Sequence, residues 1–227
     1  MSAPLDIVDV HTQLRPPAWG PGGKIAKPAG GFSPEIYRKI TTPSALVDEF
    51  KSAGVSLAVV TATIESLFGA EGPVDFAGIA EANNWLASLV AAEPSLAAFA
   101  VTDVFSGEEG AAEAERAIVD LGLSGLVIDS SRNGKFLADP SARPTLEVAA
   151  RHRVPVFVHP VAHPNSEVLI AGAGMLGNSS RMLDWMMERN ATPFIRPRPS
   201  ELPSIPAPAI STSELGWATG CTKTGTR

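Results

Sequence analysis

Along this chain the spacing of apolar positions alternates between the period of two of a β-strand and the three-to-four spacing of a helix. The run Ile7-Val8-Asp9-Val10-His11-Thr12-Gln13 is β-branched and ends in polar residues, which predicts a first strand. Strand side chains alternate, so Ile7, Asp9, His11 and Gln13 are expected on one face and Val8, Val10 and Thr12 on the other. A polar row is costly to bury unless it is paired or ligates something, so it suits a strand that runs out into a site. Residues 14–41 carry many prolines and glycines and read as one long loop of the lid or binding type.

Thr42-Pro43 has the form of an N-cap followed by a first-turn proline; Leu46, Val47 and Phe50 share a helical face, and Gly54 stops it. Residues 57–64 read as strand two. Asp75 caps the next helix, whose apolar positions Phe76, Ile79, Leu86 and Val90 run on towards Pro94. Residues 97–104 read as strand three, and Ser106 with Glu109 forms a capping-box pattern for a helix ending near Leu121-Gly122. Residues 125–131 are nearly all apolar, as in a strand buried on both faces. A helix over 144–152 and a fifth strand over 154–160 follow.

Strands starting near residues 7, 57, 97, 125 and 154, with helices between, predict parallel βαβ units at a settled spacing of just under ~30 residues. Periodicity alone does not separate a barrel from a doubly wound sheet. Histidines at the ends of strand one (His11) and strand five (His159) favour the barrel, where those ends converge on one face.

Composition narrows the function. With 227 residues, 44% of them hydrophobic, and a net charge of −6, the chain is long enough for one sizeable core and has no basic footprint for nucleic acid. A small-molecule partner is expected. Asp6 and Asp9 stand where a signal peptide needs basic residues, and no segment reaches the roughly 18 apolar residues of a membrane helix, so a cytoplasmic protein without a membrane partner is expected. The single cysteine, Cys221, permits neither an internal disulfide nor a cysteine zinc site, which leaves His, carboxylate or amide groups to hold any metal.

Three stretches together carry a family resemblance. They are Asp9-Val10-His11-Thr12-Gln13 followed by Pro16-Pro17, the stretch from Leu121 to Pro140 that ends in Gly134-Lys135-Phe136-Leu137-Ala138-Asp139-Pro140, and Val154-Pro155-Val156-Phe157-Val158-His159-Pro160. They resemble the amidohydrolase-related family, metal-dependent (β/α)8 barrels that include the aminocarboxymuconate semialdehyde decarboxylase-like decarboxylases and hydrolases. The resemblance implies a divalent metal, Zn or Mn, and a small organic carboxylic acid as substrate. It also implies a metal held by two opening histidines, a strand-five histidine and a late aspartate, with a sixth-strand histidine in catalysis. His11 and His159 match two of those positions, and Gln13 stands in the place of the second opening histidine. An amide oxygen is a weaker zinc ligand than imidazole, so metal affinity is expected to fall or a harder metal to be favoured. Asp9 is expected to support His11 rather than to ligate, and His152, between Arg151 and Arg153 at a helix end, to be structural. His163 reads as a loop residue with a lesser claim to the site.

No histidine follows His163, Asp184 is the one late aspartate candidate, and only 67 residues follow Pro160. Three more βα units at the settled spacing need about 85. Pro193, Pro197, Pro199, Pro203, Pro206 and Pro208 are incompatible with a central strand. The expected fold is therefore α/β, of the (β/α)8 TIM-barrel type but incomplete, with about five βα units over residues 1–189. Residues 190–227 are expected to form a disordered, irregular Pro/Thr-rich tail from a frameshift, retained intron or alternative exon. No catalytic residue is assigned, and turnover is expected to be low. Two alternatives stand beside this reading. One is a non-catalytic remnant or splice form that binds a partner through its open sheet edges or its Pro-rich tail; separately, the sequence is compatible with a homo-oligomer. The other is dinucleotide binding at Gly172-Ala173-Gly174-Met175-Leu176-Gly177, which matches G-x-G-x-x-G but lacks the later acidic residue.

Overall fold

A computed structural model describes residues 7–16, 34–69 and 71–161. Strand β1 (Ile7–Gln13) pairs in parallel with β2 (Val55–Thr61), and β2 with β3 (Leu96–Ala98). Strand β4 (Ala100–Val101) pairs in parallel with β5 (Leu126–Asp129), and β5 with β8 (Val156–His159). The two sets are joined through Phe99. Its N–H donates to Val60 O at 3.1 Å on the β2 side, whereas Ala100 N–H donates to Gly125 O at 2.8 Å on the β5 side. Strand three thus belongs to β2 with its first half and to β5 with its second. Among the described residues the two sheets, β1-β2-β3 and β4-β5-β8, each follow the chain order, without the reversal that defines a doubly wound sheet.

This transfer needs a substitute partner. Alternate residues of a parallel strand turn their peptide groups to opposite neighbours, so with Ala100 bonded towards β5, Val101 faces the side that β2 has left. Asn83, fully buried on α4 (Phe76–Ala92), fills the gap: its Oδ1 accepts from Val101 N–H and its Nδ2 donates to Val101 O, both at 2.9 Å. The same Nδ2 donates to Glu113 Oε1 at 2.7 Å on α5 (Glu108–Val119). Apolar faces of the helices cover the sheet, with Leu14, Val60, Leu86, Leu126 and Ile128 fully buried in one cluster. Close packing fixes Gly110 in α5, where an added Cβ would overlap Asp103 O and crowd Thr145 Oγ1.

The predicted helix starts hold in part. Asp75 caps α4 through Ala77 N–H, and α2 (Pro43–Ala53) begins at Pro43 and ends on left-handed Gly54, but Thr42 makes no side-chain cap. The long loop contains α1 (Pro34–Thr41), with Lys39 joined to Glu49 of α2 at 2.9 Å. Strand two stops at Thr61, because Thr63 instead caps α3 (Ile64–Phe68) in a reciprocal box with Ser66. The Ser106–Glu109 capping box is not formed. Asp103 takes the Ser106 hydroxyl and Phe105 N–H into a 3-10 turn, and α5 starts from Gly107 without a side-chain cap. A hairpin, β6 (Ser131–Arg132) with β7 (Lys135–Phe136), turns on Asn133 and Gly134, both at positive φ. It precedes α6 (Arg143–His152).

The alternation expected of β1 is broken. The register with β2 shifts twice: between Ile7 and Val8 the partner advances from Val55 to Leu57, and between Asp9 and Thr12 only from Ala58 to Val60, the second as in a bulge. Thr12 is buried, whereas Ile7, Val8 and Val10 are exposed. His163, Gly172–Gly177, Asp184 and residues 190–227 lie outside the described residues.

The Asn83 contact generates a stability prediction. Asn83→Leu keeps the number and branching of the side-chain heavy atoms but strips both Val101 peptide groups of their partner, and should lower the unfolding free energy by about 3 kcal/mol in urea titrations. A loss below about 1 kcal/mol would show that the strand transfer does not depend on this amide.

Candidate metal centre

Parallel pairing brings the C-terminal ends of the strands to one edge, and there the chain turns polar while remaining buried: Thr12, Thr61, Thr102, Asp103, Asp129 and His159 are all less than one-tenth exposed. His159 closes β8, with Asp129 of β5 as its register partner. Gln13 closes β1 and sets its Nε2 3.0 Å from His159 Nε2 across 146 positions of sequence. An amide nitrogen only donates, so His159 Nε2 is the acceptor and its lone pair points at Gln13.

His11 sits on the irregular part of β1. Its ring centroid lies 5.6 Å from that of His159 at 81°, and 4.8 Å from that of Phe157 at 51°. Asp9 Oδ1 accepts from His11 N–H at 2.9 Å, so Asp9 supports His11 through the backbone, as expected of a non-ligating neighbour. His11 is exposed as a residue, but the partial burial of its ring lowers the imidazole pKa from its ordinary value, and the Asp9 carboxylate opposes this in part. The neutral ring favoured at pH 7 is the form that binds a metal.

All three sequence-predicted ligands therefore meet. Two imidazoles on one tetrahedral ion, at Zn–N of about 2 Å, place their centroids about 5 Å apart, which the observed 5.6 Å fits. Among the described residues no three His, Cys, Asp or Glu side chains are grouped to hold a metal; the polar side chain within hydrogen-bond reach of His159 Nε2 is the Gln13 amide. His152 lies elsewhere, with Nε2 at 2.7 Å from Glu115 Oε1 on α5, and is structural as expected.

Sequence reasoning missed Asp129. It is fully buried, and burial, reinforced by Glu65 and Asp103, raises its pKa to about 8 against the opposing Glu65 N–H bond and Arg132 charge. The signal was present: a continuous apolar strand that ends on a carboxylate at the edge where the sites of parallel α/β folds lie.

Asp129 sets a pH dependence. Its folded pKa of about 8 exceeds the ordinary 3.8, so between these values the folded state holds the extra proton and stability falls as pH rises, with the decline complete above pH 8. The melting temperature should drop by several degrees from pH 5 to pH 8 in the parent, and by clearly less in Asp129→Asn. Equal slopes in the two proteins would assign the dependence to other groups.

Comparison with known proteins places this geometry in a family. The amidohydrolase family model matches residues 8–179. The 2-amino-3-carboxymuconate-6-semialdehyde decarboxylase of Dictyostelium discoideum is 28% identical over an alignment covering 67% of this chain and 48% of that protein. The chain thus spans about half the length of the curated relative it matches. The 5-carboxyvanillate decarboxylase of Sphingomonas paucimobilis superimposes with a TM-score of 0.60 at 19% identity, covering 81% of this chain and 63% of the other. That of Novosphingobium aromaticivorans, complexed with manganese and 4-hydroxy-3-methoxy-5-nitrobenzoic acid, superimposes with a TM-score of 0.62 at 17% identity, covering 76% and 55%. At these identities the structural likeness is one of fold. The family match, running through β1 and β8 and so through His11, Gln13 and His159, carries the assignment: the chain belongs to the amidohydrolase family.

Proposed function

We propose that this chain belongs to a metal-dependent carboxy-lyase or hydrolase acting on a small organic carboxylic acid. The metal, zinc or manganese, is held by His11, His159 and the amide oxygen of Gln13 at the C-terminal edge of a (β/α)8-type barrel. The convergence of three donors from the first and last described strands carries the reading. The unreversed strand order supports the barrel, and the decarboxylases among the relatives support the reaction class.

A divalent ion at this edge supplies Lewis-acid polarisation of a water or a substrate oxygen. The chain's own residues prepare for it. Partial burial lowers the His11 pKa, and His159 turns its Nε2 lone pair to the Gln13 N–H; that lone pair becomes free for a metal once the amide turns to present its oxygen in place of the N–H. The Thr102, Asp103, Asp129 and Thr61 side chains keep the surrounding edge polar without opening it to solvent.

Gln13 also favours a second reading, a non-catalytic chain, since among the described residues imidazole and carboxylate groups do not reach three around one point. Metal-dependent thermal stability separates the two. A metal that binds the folded state at about 100 times its Kd adds about 2.7 kcal/mol, so millimolar zinc or manganese should raise the melting temperature by several degrees. His11→Ala and His159→Ala should abolish the rise, and Gln13→His should tighten zinc by roughly tenfold or more. A parent protein that shows no shift with either metal supports the non-catalytic reading.

A further inference from the structure

Asp129 has a fixed side chain and an unanswered oxygen. Its Oδ2 accepts from Glu65 N–H at 2.8 Å, which sets the plane of the carboxyl group. Its Oδ1 is buried and has no hydrogen-bond partner among the described residues. The cation nearest in influence does not supply one: Arg132 gives Nη1 to Gly69 O at 2.6 Å and Nη2 to Gly72 O at 3.0 Å. Asp103 is equally committed, to Phe105 N–H and the Ser106 hydroxyl. A buried polar atom left without a partner costs about 1–3 kcal/mol, and such an atom in a native protein calls for something that completes it.

Position says what completes it. Asp129 and His159 are register partners on adjacent parallel strands, so their side chains emerge on the same face. Both stand at the C-terminal ends, where ligands of parallel α/β folds bind. We propose that Asp129 Oδ1 hydrogen-bonds the carboxyl group of an organic-acid ligand lodged beside His159, the two carboxyl groups sharing one proton. This rests on the reading of that edge as an organic-acid site. Two carboxyl groups in contact hold one proton between them whichever partner brings it. The contact therefore needs one hydrogen-bond donor between the two groups, and makes Asp129 a residue that touches the ligand rather than a metal ligand.

The test uses benzoate and zinc as separate probes on the full chain, with binding read by calorimetry and by thermal shift. The parent should bind benzoate, and Asp129→Ala should weaken it by roughly tenfold or more. Asp129→Asn keeps an oxygen for Glu65 N–H and offers N–H donors to the ligand, so it should bind benzoate within about threefold of the parent. The zinc-dependent shift should be the same in all three proteins. Benzoate binding that is unchanged in Asp129→Ala, or absent in the parent, would overturn the proposal, as would loss of the zinc shift in either variant. If Asp129→Ala does not fold, Asp129→Asn decides, and loss of benzoate binding there overturns it. A parent that binds benzoate but shows no zinc shift supports this contact while sinking the metal reading, which keeps the two failures apart.

Discussion

Parallel pairing in chain order is the constraint on which the rest depends. Because β1, β2 and β3, and then β4, β5 and β8, pair in parallel and in chain order, each of these strands delivers its last residue to the same edge. A residue near the start of the chain and one beyond position 150 meet there through geometry alone, as Gln13 and His159 do at 3.0 Å. The cost of this arrangement is borne by the strand in the middle, which must leave one neighbour for the other at Phe99. Asn83 makes that exchange tolerable by standing in for a strand on the side β2 has vacated, and through Glu113 it ties the same point to α5.

The edge trades packing for polarity. Towards the N-terminal ends the strands bury Leu126, Val127 and Ile128 against helices, whereas the next residue on that strand is an aspartate held above its ordinary pKa. His11 is shifted by the same physical cause, burial, in the opposite direction for its charge type. Each shift favours the neutral form of its own group at pH 7.

Much of this was legible in the sequence. Apolar period, Asp75 and Pro43 located α4 and α2, and histidines at the ends of two strand patterns identified the convergent edge. What escaped was settled by competition between neighbouring groups. Thr63 reads as a strand residue until Ser66 is seen to pair with it in a cap, and Ser106 reads as a cap until Asp103 takes its hydroxyl. The Asn133-Gly134 turn is a strong hairpin signal obscured by the shortness of its strands, two residues each. The bulge in β1 and the partnership of Asp129 with Glu65 N–H depend on strand register, which sequence period does not encode.

If His11 and His159 act together on one metal ion, as proposed, X-ray absorption at the zinc edge, on the full chain loaded with one equivalent of zinc, reads it directly. Two imidazole ligands with Zn–N of about 2.0 Å are expected, falling to one in His11→Ala and in His159→Ala. A zinc bound wholly by oxygen, or an imidazole count that neither substitution changes, would contradict it.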